Sequence, residues 1–301
     1  MKVIVQFSGG KDSLATLIWA IEKYGVDKCE AVFCDTKWEH ELTYAHINEV
    51  TEKLGVKLVT LTNETVDGFI GLVKKKKRFP STKARFCTEF LKTRPAIDYI
   101  LKQKEHLIIL QGIRKDESIS RSLMAKQCTY FKYYFTSYGK DKNGKDKYHT
   151  YRKKDILEWR KSFSDDVLRP VFDWTAQEVI DYIIQAGVKP NPLYYMGMSR
   201  VGCMPCIMCK HSEIKQISNR FPEHIDKIRK AEQDLNTSIF TNGKIPDRYC
   251  SKEAVNKKGK TVKYPTIDDV VDYVNKDKNQ SDIFQEPDSE HKCMSFYGIC
   301  E

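Results

Sequence analysis

A short apolar run, Val3 to Phe7, ends in Ser8-Gly9-Gly10-Lys11-Asp12-Ser13 and passes directly into Leu14-Ala15-Thr16-Leu17-Ile18-Trp19-Ala20-Ile21. This succession constrains the fold more than any other part of the chain. The apolar run reads as a buried parallel strand, and the segment after the glycines reads as a helix. Paired glycines let the backbone turn tightly and come close to a ligand. The free amides of the new helix, its dipole and Lys11 then face one point, which makes an anion site. The spacing is shorter than that of a Walker A loop.

The same alternation continues downstream. Glu30 to Thr36, Val56 to Leu61 and Leu107 to Gly112 read as further strands. Between them, Glu41 to Leu54, Asp67 to Val73 and Glu89 to Lys104 read as helices. Alternating strands and helices imply right-handed crossovers and an α/β fold, a parallel sheet with helices on both faces. Ligands sit beyond the carboxyl ends of such strands, where Ser8, Asp35 and Gly112 all fall. Residues 122–166 break the pattern. Tyr130 to Phe135 and Tyr148 to Tyr151 flank Asn143-Gly144, which predicts a hairpin insertion with a tight turn. Thr175 to Ala186 reads as a helix capped by Asp173 or Thr175 and closed by Gly187. The expected organisation is a nucleotide-binding unit over residues 1–210 and a helix-rich region over residues 211–301.

The formal charge of +10 is unevenly placed, with a solid block at Lys74-Lys75-Lys76-Lys77-Arg78 and a second basic stretch from Lys140 to Lys154. Such loops can be plain solvated surface, or can meet a nucleotide or nucleic acid. No apolar run approaches the roughly 18 residues of a membrane helix. The chain opens on a strand with no leader, so a cytoplasmic location is expected. Ten cysteines are many for a reducing compartment. Cys203, Cys206 and Cys209 carry the two-residue spacing that lets thiolates converge on a metal, and Cys293 and Cys300 bring two more thiols. A four-ligand set of Cys203, Cys206, Cys293 and Cys300 is favoured, with Cys209 as the substitute.

The opening loop resembles the PP-loop of the adenine nucleotide alpha-hydrolase superfamily, which holds the pyrophosphate of ATP or equivalent oxyanions. Five further segments carry a narrower resemblance. They are Asp35-Thr36 with Glu39, Arg85 to Lys92, Gly112 to Arg121, Arg169 to Thr175, and Asn191 to Tyr194 leading to Arg200-Val201-Gly202-Cys203. Their order and spacing are similar to the phosphoadenosine phosphosulfate (PAPS) reductase family. That family includes assimilatory reductases, sulfate adenylyltransferase small subunits and DNA-phosphorothioation sulfurtransferases.

The resemblance implies binding of ATP or a PAPS-type adenine nucleotide through Ser8, Gly9, Gly10, Lys11, Asp12 and Ser13, with Asp35, Lys92 and Gly112 completing the site. Mg2+ would be held near Asp12 and Asp35, although Asp12 also reads as an acid serving the helix dipole. Arg114 and Arg121 can grip phosphate or sulfate with two prongs, or form a salt-bridge network with Asp116 and Glu117. Relatives with such cysteines carry a 4Fe–4S cluster; Zn2+ is the alternative.

Three activities are expected from this reading. The first is ATP cleavage between the α and β phosphates to adenylate a substrate in sulfur chemistry, with Lys11, Arg114 and Arg121 stabilising charge. The second is thiol-dependent reduction of PAPS or adenylyl sulfate to sulfite, with Cys300 as nucleophile. The third is a nucleic-acid-associated subunit using the basic loops and the aromatic segment Tyr130 to Phe135. A redox or sulfur-donor protein would serve as partner. The Glu-Cys-Gly-Leu-His motif of assimilatory reductases is absent; the chain ends Gly298-Ile299-Cys300-Glu301.

Overall fold

The computed structural model describes residues 1–255 and 259–276. Three strand–helix pairs open it: β1 (Lys2–Gln6) with α1 (Lys11–Tyr24), β2 (Cys29–Cys34) with α2 (Glu41–Lys53), and β3 (Lys57–Leu61) with α3 (Gly68–Lys76). A helical run follows as α4 (Phe86–Thr88), a π-helical turn (Glu89–Thr93) and α5 (Arg94–Leu101), ahead of β4 (Leu107–Gln111). Next come α6 (Ile119–Ser122), β5 (Gln127–Cys128), α7 (Lys132–Phe135), α8 (Lys153–Ser162), β6 (Asp165–Leu168), α9 (Ala176–Gln185) and α10 (Pro192–Tyr195). The last part holds α11 (His211–Arg220), α12 (Pro222–Leu235), the antiparallel pair β7 (Lys252–Val255) and β8 (Thr261–Tyr264), and α13 (Ile267–Asn275).

The main sheet has the order β3-β2-β1-β4-β6-β5. All its pairings are parallel except β5 on β6. Side chains alternate between its faces, as the period of a strand requires. Val3 and Val5, Ala31 and Phe33, and Ile108 and Leu110 pack on one face with Leu14, Leu17, Val50, Val179 and Ile183 of the helices α1, α2 and α9. Ile4, Val32, Leu107 and Ile109 point to the other face, where Ile97, Ile100, Ile156 and Trp159 of α5 and α8 cover them. Both faces being apolar explains why these strands read as continuous hydrophobic runs. β1 lies between β2 and β4, so the chain leaves it in one direction and returns on its other side. That reversal opens a crevice at the carboxyl ends of β1 and β4.

A third core joins Trp38, Phe69, Leu72 and Val73 to Ile214, Ile217, Ile225, Ile228 and Val270. The C-terminal helices therefore share their core with α3 and with the loop after β2. The helix α9 begins as a capping box: Thr175 Oγ1 accepts the Glu178 amide at 3.2 Å and Glu178 Oε2 accepts the Thr175 amide at 2.6 Å. Thr175, not Asp173, is the cap. No helix among the described residues is long and apolar enough to cross a membrane.

The expected hairpin takes a different form. The Asn143-Gly144 turn is present, closed by Asp141 N to Lys145 O at 2.8 Å. Its flanks are not the expected strands: Lys132–Phe135 is a helical turn. Tyr130, Phe131 and Tyr134 are all buried against α8 and the sheet. Their i, i+1, i+4 spacing is that of one helix face rather than a strand. These three rings have no face left for stacking on bases, while Phe135 is 45% exposed.

Candidate active site

The loop after β1 is built around Ser13. Its Oγ receives the Ser8 amide at 3.2 Å and donates to the Gly10 carbonyl at 3.0 Å, while Ser8 Oγ lies 3.2 Å away. Gly9 has φ +80°, and a Cβ there would stand 3.0 Å from Ile47 and Thr43 of α2. Gly10, at the N-cap of α1, has no side chain to cap it, so the first amides take partners from elsewhere in the fold. Tyr194 of α10 and its N-cap residue Asn191 brace the loop. Tyr194 Oη accepts the Lys11 amide at 3.0 Å, and Asn191, wholly buried, donates Nδ2 to the Gly9 carbonyl at 3.3 Å.

Asp12 is also wholly buried. Its Oδ1 accepts Arg114 Nε at 2.6 Å and its Oδ2 lies 3.3 Å from Lys11 Nζ. Arg114 reaches on to Asp116 at 2.5 Å. Burial works against the Arg114 charge, but Asp12, with Asp116 and Glu117, more than offsets it and raises the pKa. Arg121, 2% exposed, pairs with Glu117 four residues earlier. The salt-bridge network that the sequence allowed is thus formed, with both arginines buried and Asp116 at the surface. Asp12 fixes Arg114 beside the loop, with Lys11 against its other oxygen.

Gly112 has a packing reason to be glycine. A Cβ there would lie 2.5 Å from the Ser13 amide nitrogen and 2.6 Å from the Asp12 carbonyl carbon and oxygen. The expected close approach is therefore made by the backbone of α1. Gly112→Ala is expected to cost about 1–3 kcal/mol through overpacking and to displace the start of α1. Chemical denaturation and nucleotide titration of the same variant would register both effects. Wild-type stability with wild-type affinity would show that the contact is not a constraint.

The end of β2 supplies a second group. Asp35 Oδ1 accepts the Lys37 amide and the Tyr44 hydroxyl, both at 2.7 Å. Glu39 is buried, with Thr36 Oγ1 donating to its Oε1 at 2.8 Å and Tyr44 Oη to its Oε2 at 3.2 Å. Cys203 is brought here by a β-bridge to Glu39, and its Sγ lies 3.5 Å from Glu39 Oε1 and from Thr36 Oγ1. Burial holds the Cys203 thiol well above its ordinary pKa; Lys92 opposes this and Glu39 reinforces it. Lys92, 7% exposed, lines one cavity together with Ser8, Glu39, Cys34 and Gly202. Ser8, Glu39 and Gly202 thus border a small cavity of about 20 Å³, room for about one water, lined mostly by apolar side chains of the sheet and α5. Tyr44, Asn191 and Tyr194 are contributors that charge and spacing did not single out; only the Asn-Pro-Leu-Tyr segment hinted at the last two.

The cysteine segment turns so that the Cys206 amide donates to Cys209 Sγ at 3.1 Å. Burial pushes the Cys209 thiol up to about 12. Three thiolates on a tetrahedral zinc at about 2.3 Å would stand roughly 3.8 Å apart. Cys203, Cys206 and Cys209 do not form a triple whose sulfurs all lie within 4.8 Å of one another. The donor chemistry suits a thiolate-bound metal, but these three are not a ready zinc triad. Cys293 and Cys300 lie outside the described residues.

Residues 2–209 match the model of the phosphoadenosine phosphosulfate reductase domain. The chain belongs to that family. An uncharacterized 37.8 kDa protein of Escherichia phage 186 is 28% identical, covering 99% of this chain and 96% of the relative. An uncharacterized protein of Methanocaldococcus jannaschii is 31% identical across 75% of this chain, which spans 40% of that longer protein. Among solved structures, a PAPS reductase from Candida auris aligns at 16% identity with a TM-score of 0.44, over 66% of this chain and 80% of that one. The family's PP-loop, its parallel sheet and its helices on both faces are those described above.

Proposed function

We propose that this PAPS reductase family member binds ATP at the PP-loop and cleaves it between the α and β phosphates. An acceptor oxygen attacks the α phosphorus, the bond to the β-phosphate oxygen breaks, and pyrophosphate leaves. The acceptor becomes adenylated and so activated for sulfur chemistry. The observation that carries this reading is the PP-loop itself, where wholly buried Asp12 holds Arg114 at 2.6 Å and Lys11 at 3.3 Å beside the start of α1. The loop also keeps its full Ser-Gly-Gly-Lys-Asp-Ser form.

In this reading Lys11 and the amides at the start of α1 neutralise the charge that builds on leaving pyrophosphate. Arg114, held by Asp12, orients the phosphates. Asp35 is the better placed carboxylate for Mg2+, because both Asp12 oxygens already face cations of this chain. Cys203 and Cys206 would join Cys293 and Cys300, or Cys209, around a 4Fe–4S cluster, with Zn2+ the alternative. Such a cluster would supply thiolate-bound iron for handling sulfur.

A second reading, thiol-dependent reduction of PAPS or adenylyl sulfate, is favoured by the family match over residues 2–209. It requires Cys300 as nucleophile, attacking sulfur and releasing sulfite with the adenosine phosphate. A nucleic-acid acceptor, as in DNA phosphorothioation, is compatible with the basic block Lys74 to Arg78 and with the first reading.

Cys300→Ser separates the two. If Cys300 is a ligand, anaerobically purified protein is expected to lose metal and stability together. If it is the nucleophile, metal stays and sulfite release from adenylyl sulfate disappears. The wild-type protein is expected to be brown with a 4Fe–4S cluster and colourless with zinc.

A further inference from the structure

Away from the cysteines, two imidazoles and a carboxylate converge where α12 meets the start of α2. One ligand atom from each of His40, Glu41 and His224 lies within 4.8 Å of the other two. Both histidines are buried, at 5% and 2% exposure, and their rings stack with centroids 5.0 Å apart.

The His224 Nδ1 atom lies 3.2 Å from the Met204 carbonyl oxygen. A carbonyl only accepts, so Nδ1 carries the proton and a neutral His224 turns a bare Nε2 outward. That Nε2 faces Glu41 Oε2 at 3.4 Å and Glu223 Oε1 at 3.9 Å. A metal ion or a proton between these opposed lone pairs satisfies both. An imidazole whose other nitrogen donates to a backbone carbonyl is the usual posture of a metal-bound histidine. Imidazole and carboxylate donors together suit zinc and its neighbours in the first transition row.

We propose that His40, Glu41 and His224 bind a zinc-class divalent ion, which clamps α12 to the start of α2. The 3.4 Å between His224 Nε2 and Glu41 Oε2 already matches two ligands about 2.0–2.2 Å from one ion. His40 Nδ1, 3.9 Å from Glu41 Oε2, accepts the Leu42 amide at 3.0 Å and exchanges that bond for the ion. Glu223 is the fourth donor within reach. Lys227 lies 3.7 Å from Glu41 Oε1, an exposed pair whose release costs little. Since His224 also holds the Met204 carbonyl, the clamp would steady the backbone beside Cys203.

Cobalt(II) is the probe, added anaerobically to the full-length protein with its cysteine segment intact. Binding should give weak visible bands that Glu41→Gln diminishes, separate from any intense near-ultraviolet cobalt thiolate absorption of the cysteines. Zn2+ should displace it and raise the melting temperature. Glu41→Gln changes an exposed side chain and should preserve the fold while weakening Co2+ at least about tenfold. His224→Gln should do the same. Cobalt thiolate absorption as the only signal, wild-type affinity in both variants, or no binding at all would overturn the site and leave a proton between the groups.

Discussion

Asp12→Ala is expected to destabilise the protein by about 3 kcal/mol, because it leaves the buried Arg114 guanidinium without its principal partner. Asp116 remains 2.5 Å from Arg114, which keeps the expected cost near the lower end for a broken buried pair. The effect should reach the site as well. Arg114 Nε would lose its 2.6 Å anchor, and Lys11 would lose the carboxylate 3.3 Å from its ammonium. Urea denaturation of the variant measures the first effect and nucleotide titration the second. Wild-type stability would mean that the pair contributes no more than an exposed one. Asp12→Asn keeps the shape and removes the charge, so it should fall between the two.

The second large effect is expected at Lys11. Lys11→Ala should weaken ATP binding by about 1.5–3 kcal/mol, roughly 10- to 150-fold, since a hydrogen-bonded charge on phosphate is lost. The fold should be little affected, because among the described residues the ammonium's contacts are the 3.3 Å pair with Asp12 and the Tyr194 ring at 5.3 Å. Calorimetric titration with ATP checks the affinity, and a thermal melt checks the fold. Unchanged affinity would remove Lys11 from the phosphate site.

Strand identity was legible because both sheet faces are buried, which makes Val3 to Val5, Ala31 to Cys34 and Leu107 to Leu110 apolar runs. The loop at Ser8 was legible because paired glycines before a helix leave few alternatives. Local pattern could not reveal the partners of Asp12. Its pair with Arg114 links residues 102 positions apart, and a sequence shows only that both are charged. Gly112 was legible as a close approach, but whether ligand or backbone makes that approach depends on how β4 packs beside α1. The aromatic segment misled because an Asn-Gly turn and six consecutive large residues satisfy a hairpin reading. The burial of Tyr130, Phe131 and Tyr134 depends on α8, which follows them. His40 and His224 lie 184 positions apart (224 minus 40), and only the packing of α12 on α2 makes them neighbours.

The central claim is that the PP-loop holds the pyrophosphate of ATP, and comparative affinity tests it most directly. ATP, AMP, adenylyl sulfate and PAPS would be titrated against anaerobically purified full-length protein with Mg2+, with pyrophosphate as competitor and released pyrophosphate and sulfite assayed alongside. The account predicts that ATP binds more tightly than AMP or adenylyl sulfate, that pyrophosphate competes, and that no sulfite forms. Tighter binding of adenylyl sulfate or PAPS than of ATP, with sulfite released in the presence of thiol, would contradict it.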